Sequence, residues 1–432
     1  MRNSMANIFI SFSHVLYKKS NAQGVFPVFY DLFISKLIEF GNNVYYMDSN
    51  PMSTNIEAPS NKNFLKPLHD IKPDLIILFN NRFPKIDLSK HFDCPVCIYG
   101  VDTVLLYSNK EILKTNSNYK YIVCSSEDIT LLKEQFNVSE DRVLKIPFFT
   151  GVNAEEKPIQ SNISFIGSQW CYPNLVEKFM SLHPSDDEVR LFQQMVQEVK
   201  ENPFLDESIL KSKYSELSDK VASVININQT LWHISSLNRV KVLSSIASLG
   251  LKIYGPASWS KLNYYPEISL SYSPKLIHSV KDNQDCYNSS KIGISMSHAQ
   301  SIDTFPWRIT DIMASNACLV TDYHSDFEKY FPGIKIPVYK SPHEARQICE
   351  YLLKNEAERK DIVKQCNAVI NDKYRFENYL PDIERFLNIK LDNKLCINSG
   401  QRPVMSNLDL YNIKHSAKGF VNFIFKSKKN KC

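Results

Sequence analysis

The chain has 432 residues, 43% of them hydrophobic and 22% charged, with a net charge of +5 and a mean hydropathy of −0.28. That is enough for two packed domains of ordinary size and too apolar for a disordered chain. No apolar run approaches the ~18 to 20 residues of a membrane-spanning helix, and no small-residue cleavage site follows the first apolar run, so a cytoplasmic location is expected.

The first apolar run, Asn7 to Phe12, reads as a strand, followed by a polar loop and a helix near 26–40. Further short apolar runs at 43–47, 75–80, 96–99, 121–124 and 143–146 alternate with helical stretches. Such alternation indicates a parallel sheet covered by helices, a Rossmann-like domain over residues 1–150. The polar, aperiodic stretch 151–160 reads as a linker. The pattern then restarts with strands at 163–166, 251–254, 292–295 and 317–321, which places a second Rossmann-like domain at 161–387. Residues 174–237 interrupt it with helical periodicity at 189–199 and 208–222, a helical insertion. Two successive Rossmann-like halves imply an α/β protein with two domains facing across a cleft.

Ten cysteines fit a reducing compartment, with Cys97, Cys124 and Cys318 in apolar, strand-like runs. Cys94 and Cys97 form a CxxC without a second pair at zinc spacing, so no metal is expected. Residues 388–432 form a C-terminal extension. From Lys414 onward it carries six lysines among Phe420, Phe423 and Phe425 and no acid, a composition suited to peripheral contact with an anionic membrane. No nucleic-acid motif is present.

Asp303 and Asp311 stand eight positions apart, the second within an apparent helix that leads into the apolar run 317–321. Arg308, Ala314, Leu319, Thr321, Asp322 and Tyr323 complete the pattern, together with Tyr287 to Ile292 upstream. This stretch resembles the E-x7-E signature of retaining GT-B glycosyltransferases, with Asp in both places, and within that superfamily it is similar to the CgeB-like branch. The resemblance runs to about Tyr379 and covers roughly the last half of the chain. It implies a GT-B fold, a nucleotide-sugar donor, a glycan or lipid-linked acceptor in bacterial surface polysaccharide synthesis, and transfer with retention. No cofactor is implied. The chain has no Asp-x-Asp pair of the kind metal-dependent GT-A enzymes use.

Under that resemblance Asp311 accepts the ribose hydroxyls, Asp303 meets the transferred sugar, and Pro306 stiffens the loop between them. The base is expected near 277–280. Gly167 and Ser168 after one strand and Gly255 after another let backbone approach a phosphate. Arg239, read as opening the helix before the Gly255 strand, is the first candidate for a phosphate contact and Lys241 the second. Arg308, Ser297 and His298 face the same site. In the first half, Asp102 is the candidate base of an inverting reaction, and His14, Asn80 and Asn81 are the candidate acceptor contacts. Two other readings stay open: a nucleotide-sugar 2-epimerase, and a non-catalytic GT-B-shaped binding protein.

Overall fold

Short runs of β-branched and aromatic residues make the strands of this protein, and the central ones, such as Leu75–Phe79 and Val96–Tyr99, are buried on both faces. In the computed structural model they are β1 (Asn7–Phe12), β2 (Asn43–Asp48), β3 (Leu75–Phe79), β4 (Val96–Tyr99), β5 (Lys120–Val123) and β6 (Val143–Lys145). Then follow β7 (Ser161–Ile166), β8 (Leu251–Tyr254), β9 (Tyr272–Ser273), β10 (Ser290–Ser295), β11 (Cys318–Asp322), β12 (Val338–Tyr339) and β13 (Met405–Asn407). The structure describes residues 5–12, 28–48, 61–83, 86–115, 118–169, 174–202, 207–215, 217, 227–275, 277, 279–301, 304–397 and 405–407. His14, Asp303 and the 414–432 tail lie outside the described residues.

The chain divides into two units, Met1–Phe148 with Arg375–Cys432, and Phe149–Tyr374. These bounds differ from those read in the sequence. Residues 149–160 fold with the second unit, and the helix Phe376–Leu387 returns to the first.

In the first unit the described strands form one parallel sheet in the order β13-β2-β1-β3-β4-β5-β6. Its core is aromatic. Phe29 and Phe33, on the helix Val28–Glu39, lie edge-on to Tyr99 with ring centroids 5.8 and 5.4 Å away. The returning helix joins this core through Phe376, 5.8 Å from Phe33 and 5.6 Å from Phe40, and Lys36 donates to Glu377 at 2.8 Å. Farther along, the Asn393 N–H donates to the Phe40 carbonyl at 2.7 Å. Gly41, at φ +85°, permits that approach, because a Cβ there would stand 2.4 Å from the Asn393 carbonyl oxygen.

The second unit holds a sheet in the order β12-β11-β10-β7-β8-β9, parallel throughout. Counted within the unit this is 6-5-4-1-2-3, the dinucleotide-fold order, so its topological switch point lies between β7 and β10. The helical insertion has a core of its own, in which Phe179 and Phe192 stack at 4.2 Å beside Met195, Leu210, Leu231 and Ile234. Of the helix expected at 208–222, the described part is helical over Glu207–Lys213, and residues 216 and 218–222 lie outside the described residues. Among the described residues no helix is long and apolar enough to cross a membrane, and Cys97, Cys124 and Cys318 are buried thiols.

Candidate functional site

In open parallel sheets the carboxyl ends of the strands at a switch point form the ligand crevice. In the second unit those ends are Gly167-Ser168 after β7 and Met296-Ser297-His298 after β10. One helix, Ile227–Ile246, fastens both loops. Ser235, Ser236 and Arg239 fall on one of its faces by i, i+3 and i+4 spacing. The Ser235 Oγ accepts from the Ala299 N–H at 2.9 Å, and the Ser236 hydroxyl donates to the Gln169 carbonyl. Arg239 donates to the carbonyls of Ser168 at 2.5 Å and Met296 at 3.1 Å, so its guanidinium spans the switch point. The helix begins at Ile227, so Arg239 lies inside it and does not open it.

Arg239 is 3% exposed, and a second cation stands beside it. Both guanidinium groups lie over the Phe165 ring, Arg239 at 5.4 Å and Arg308 at 5.9 Å from its centroid. Burial, then the Arg308 charge, pushes Arg239 well below the ordinary guanidinium range. A guanidinium does not give up its proton in proteins, so Arg239 stays charged, with the Asp322 carboxylate acting in the opposite sense to Arg308. His298 adds no charge: burial and Arg239 push it down to about 3, leaving a neutral imidazole. Its Nδ1 accepts from the Gln300 N–H at 3.3 Å.

Ser297 is tied to the next strand. Its N–H donates to both carboxylate oxygens of Asp322, at 3.2 and 3.1 Å, and its hydroxyl lies 2.6 Å from the His324 Nε2. Burial works to raise the Asp322 carboxyl, but His324, the Ser297 N–H and the Thr321 hydroxyl outweigh it and hold it below its usual range. The Ser297 N–H is therefore engaged within the protein.

Asp311 lies on the helix Trp307–Met313, which follows Pro306 at its N-cap. It is 3% exposed. Oδ1 accepts from the Thr150 hydroxyl at 2.5 Å and Oδ2 from the Asn283 amide at 2.8 Å. These two bonds fix the carboxylate in place at the end of the helix. Arg308 and Asp311 are both charged neighbours of the Tyr287 phenol, which burial raises well above its usual range. Tyr287 thereby places the two residues in one neighbourhood.

The first unit has a polar cluster at the carboxyl ends of β3 and β4, beside the switch point between β1 and β3. Asn80 and Asn81 adopt left-handed backbone at φ 50° and 53°, which Asn tolerates better than most residues. The Asn80 amide donates to Asp102 Oδ2 at 2.7 Å, and its Oδ1 accepts from the N–H groups of Val101 at 2.9 Å and Asp102 at 3.1 Å. Asn81 donates to the Ser108 carbonyl at 2.6 Å. The two amides are 4% and 3% exposed and hold the loop, whereas Asp102 is exposed.

Residues 238–385 match the family described as glycosyl transferase-like. That stretch contains Arg239, Gly255, Ser297, Arg308 and Asp311. The chain has the GT-B fold, and its residues 238–385 carry the glycosyl transferase-like match. Among solved structures it is similar to sucrose-phosphate synthase from Thermosynechococcus elongatus, with a TM-score of 0.53 and 10% identity over 92% of this chain and 100% of that one. It is also similar to WaaG, a glycosyltransferase involved in lipopolysaccharide biosynthesis, with a TM-score of 0.51 and 8% identity over 88% and 99% of the two chains. At those identities the likeness shows the fold alone. No curated protein matches the sequence.

In the second unit, Gly167, Ser168, Arg239, Ser297, His298 and Arg308 gather at one switch point. Gly255 has a packing reason for being glycine, since a Cβ there would sit 2.2 Å from the Gly167 carbonyl oxygen, which also accepts from the Trp259 indole at 2.8 Å. Lys241 is exposed and, two residues past Arg239, projects from the other side of the helix. Sequence reasoning missed Thr150, Asn283, Ser235 and His324. A polar residue in a linker or on a helix carries no local mark of the partner it meets.

Proposed function

We propose that this glycosyltransferase moves a sugar from a nucleotide-sugar to a hydroxyl of a surface glycan or lipid-linked acceptor, with retention and without a metal. The observation that carries the reading is the buried Arg239 spanning the β7/β10 switch point with Arg308 beside it. Two adjacent cations, one of them desolvated, favour a diphosphate, and they stabilise the negative charge that grows on it as the bond to the sugar breaks. Asp311, fixed by Thr150 and Asn283, takes the ribose. In the transfer the bond from the sugar C1 to the diphosphate oxygen breaks and a bond from C1 to the acceptor oxygen forms on the same face. The acceptor proton passes to the departing phosphate. The first unit supplies the acceptor side through the Asp102 loop. The basic, aromatic stretch 414–432 supports an acceptor held at an anionic membrane surface.

The test is a thermal-shift screen of UDP, GDP, ADP, CDP and CMP and their sugar conjugates. A ligand at 100 times its dissociation constant stabilises by about 2.7 kcal/mol, a rise of a few degrees in a protein of this size. One nucleotide should raise the melting temperature of wild type and not of Arg239→Met. Absence of any shift would overturn the reading. Product anomers read by NMR then test retention.

A further inference from the structure

The first unit has a topological switch point of its own, between β1 and β3, and the segment Asn80 to Phe83 is fastened across it. The Arg82 N–H donates to the Phe79 carbonyl at the end of β3, at 2.9 Å, and the Arg82 carbonyl accepts from the Ser11 hydroxyl on β1. On either side, Asn81 donates to the Ser108 carbonyl at 2.6 Å, and the Phe83 carbonyl accepts from the Asn109 amide. Asn80, Asn81 and Phe83 are buried, whereas Arg82 is partly exposed. Among the described residues its guanidinium meets no hydrogen-bond acceptor and no carboxylate at ion-pair distance. Tyr30 locates the charge. Its ring centroid lies 4.5 Å from that of Phe79 and 5.3 Å from that of Phe12, the last residues of β3 and β1, so it covers the carboxyl ends of both strands. Burial raises its phenol far above the usual range, Asp102 adds to the rise and Arg82 opposes it. Arg82 and Asp102 thus both act at this crevice.

Open parallel sheets bind their ligands in such a crevice. A loop whose backbone is held at several points, with one guanidinium left unpaired, offers an anion a fixed anchor, and the planar fork of arginine matches a phosphate or a carboxylate with two parallel hydrogen bonds. Asp102 does not fill that place, since it takes the Asn80 amide at 2.7 Å and forms no ion pair with Arg82. Resting on the reading of the first unit as the acceptor side, we propose that Arg82 is a specificity-determining residue for the acceptor, and that the acceptor carries an oxyanion, a phosphate or a carboxylate, which the Arg82 guanidinium holds. A neutral glycan leaves that charge unmatched and binds more weakly.

The experiment titrates the full chain, with isotope-labelled arginine side chains, with glucose, glucose 6-phosphate, glucuronate and farnesyl phosphate. The nucleoside diphosphate found in the screen above is present at saturation, so that Arg239 and Arg308 are occupied. The Arg82 side-chain resonance, assigned by its absence from Arg82→Gln, is followed by NMR. At least one anionic probe should shift it and bind at least about tenfold more tightly than glucose, the scale of a charge-assisted hydrogen bond. A preference for glucose 6-phosphate assigns a phosphorylated sugar, one for farnesyl phosphate a lipid phosphate, and one for glucuronate an acidic sugar. Arg82→Gln should bring the anionic probes down to the affinity of glucose, and Arg82→Lys should keep part of the preference, because the charge stays and the fork goes. Both variants should retain the rise in melting temperature that the nucleotide gives, which shows that they fold. Absence of any shift at Arg82, equal binding of glucose and every anionic probe, or a preference that survives in Arg82→Gln would overturn the inference and leave the donor reading intact. Failure of every nucleotide to bind would overturn the donor reading alone, because the same titration without nucleotide still reads Arg82.

Discussion

The Thr150 hydroxyl donates to Asp311 Oδ1 at 2.5 Å while the Thr150 N–H donates to the Tyr374 carbonyl at 3.0 Å. Thr150 and Tyr374 lie at the two points where the chain passes between its units, so one threonine joins both crossings to a buried carboxylate. Thr150→Val keeps the shape and removes the donor. A hydrogen bond to a charged group is worth about 1.5 to 3 kcal/mol, so the variant should lose roughly 2 kcal/mol in a urea titration and bind nucleotide more weakly. Thr150→Ser should retain most of both. Unchanged stability in Thr150→Val would mean that the bond contributes nothing.

Asn80 combines a left-handed backbone with three hydrogen bonds to the Val101–Asp102 segment. Removing the side chain costs those bonds in any variant, but only residues with a Cβ also meet the left-handed penalty of about 1 to 2 kcal/mol. Asn80→Ala should therefore be about 1 kcal/mol less stable than Asn80→Gly by denaturant titration. Equal stabilities would contradict the positive φ.

The central strands were legible because they are short apolar runs buried on both faces, as in Leu75 to Phe79, whereas the two- and three-residue edge strands β9, β12 and β13 carry no such run. The two-domain division was legible because that pattern stops and restarts. The return of the helix Phe376–Leu387 to the first unit was not, because an amphipathic helix displays its apolar face without saying which sheet will cover it. The same limit applied to the site. Arg308 and Asp311 stood out within a familiar spacing, but Asp311 is held by Asn283, 28 positions away, and by Thr150, 161 positions away. Contacts of that range follow from topology, and Ser235 and Ser236 acquired meaning only once their helix was seen to cross the switch point. Arg239 was singled out for its charge, whereas its position depends on burial that a charged residue in a polar stretch does not advertise.

Arg239 gives a prediction that separates charge from geometry. Lysine keeps the charge but is a single point donor group on a flexible stem, without the planar fork that reaches two carbonyls at once. Arg239→Lys should leave the Ser168 or the Met296 carbonyl short of a donor, at about 1 to 3 kcal/mol. It should also weaken nucleoside diphosphate binding by at least about tenfold, or 1.4 kcal/mol. Lys241→Ala, on the exposed side of the same helix, should change neither. Titration calorimetry on the two variants checks both statements, and a Lys241→Ala effect as large as that of Arg239→Lys would contradict the facing drawn from the structure.

His298 sets a pH dependence whose sign can be worked out. Folding lowers its pKa to about 3 through burial and the Arg239 charge, whereas an unfolded histidine titrates near 6.5. Between those values the unfolded chain binds a proton that the folded chain refuses, so stability must fall as pH falls through that window. One proton corresponds to a slope of at most about 1.4 kcal/mol per pH unit. His298→Asn keeps an acceptor for the Gln300 N–H and has nothing to titrate. Stability measured from pH 7 to pH 4.5 should thus decline less steeply in His298→Asn than in wild type, and the two curves should converge or cross on acidification. Above about pH 8 the histidine is neutral in both states, and the gap between the curves should not depend on pH. Parallel curves down to pH 4.5 would show that His298 keeps an ordinary pKa.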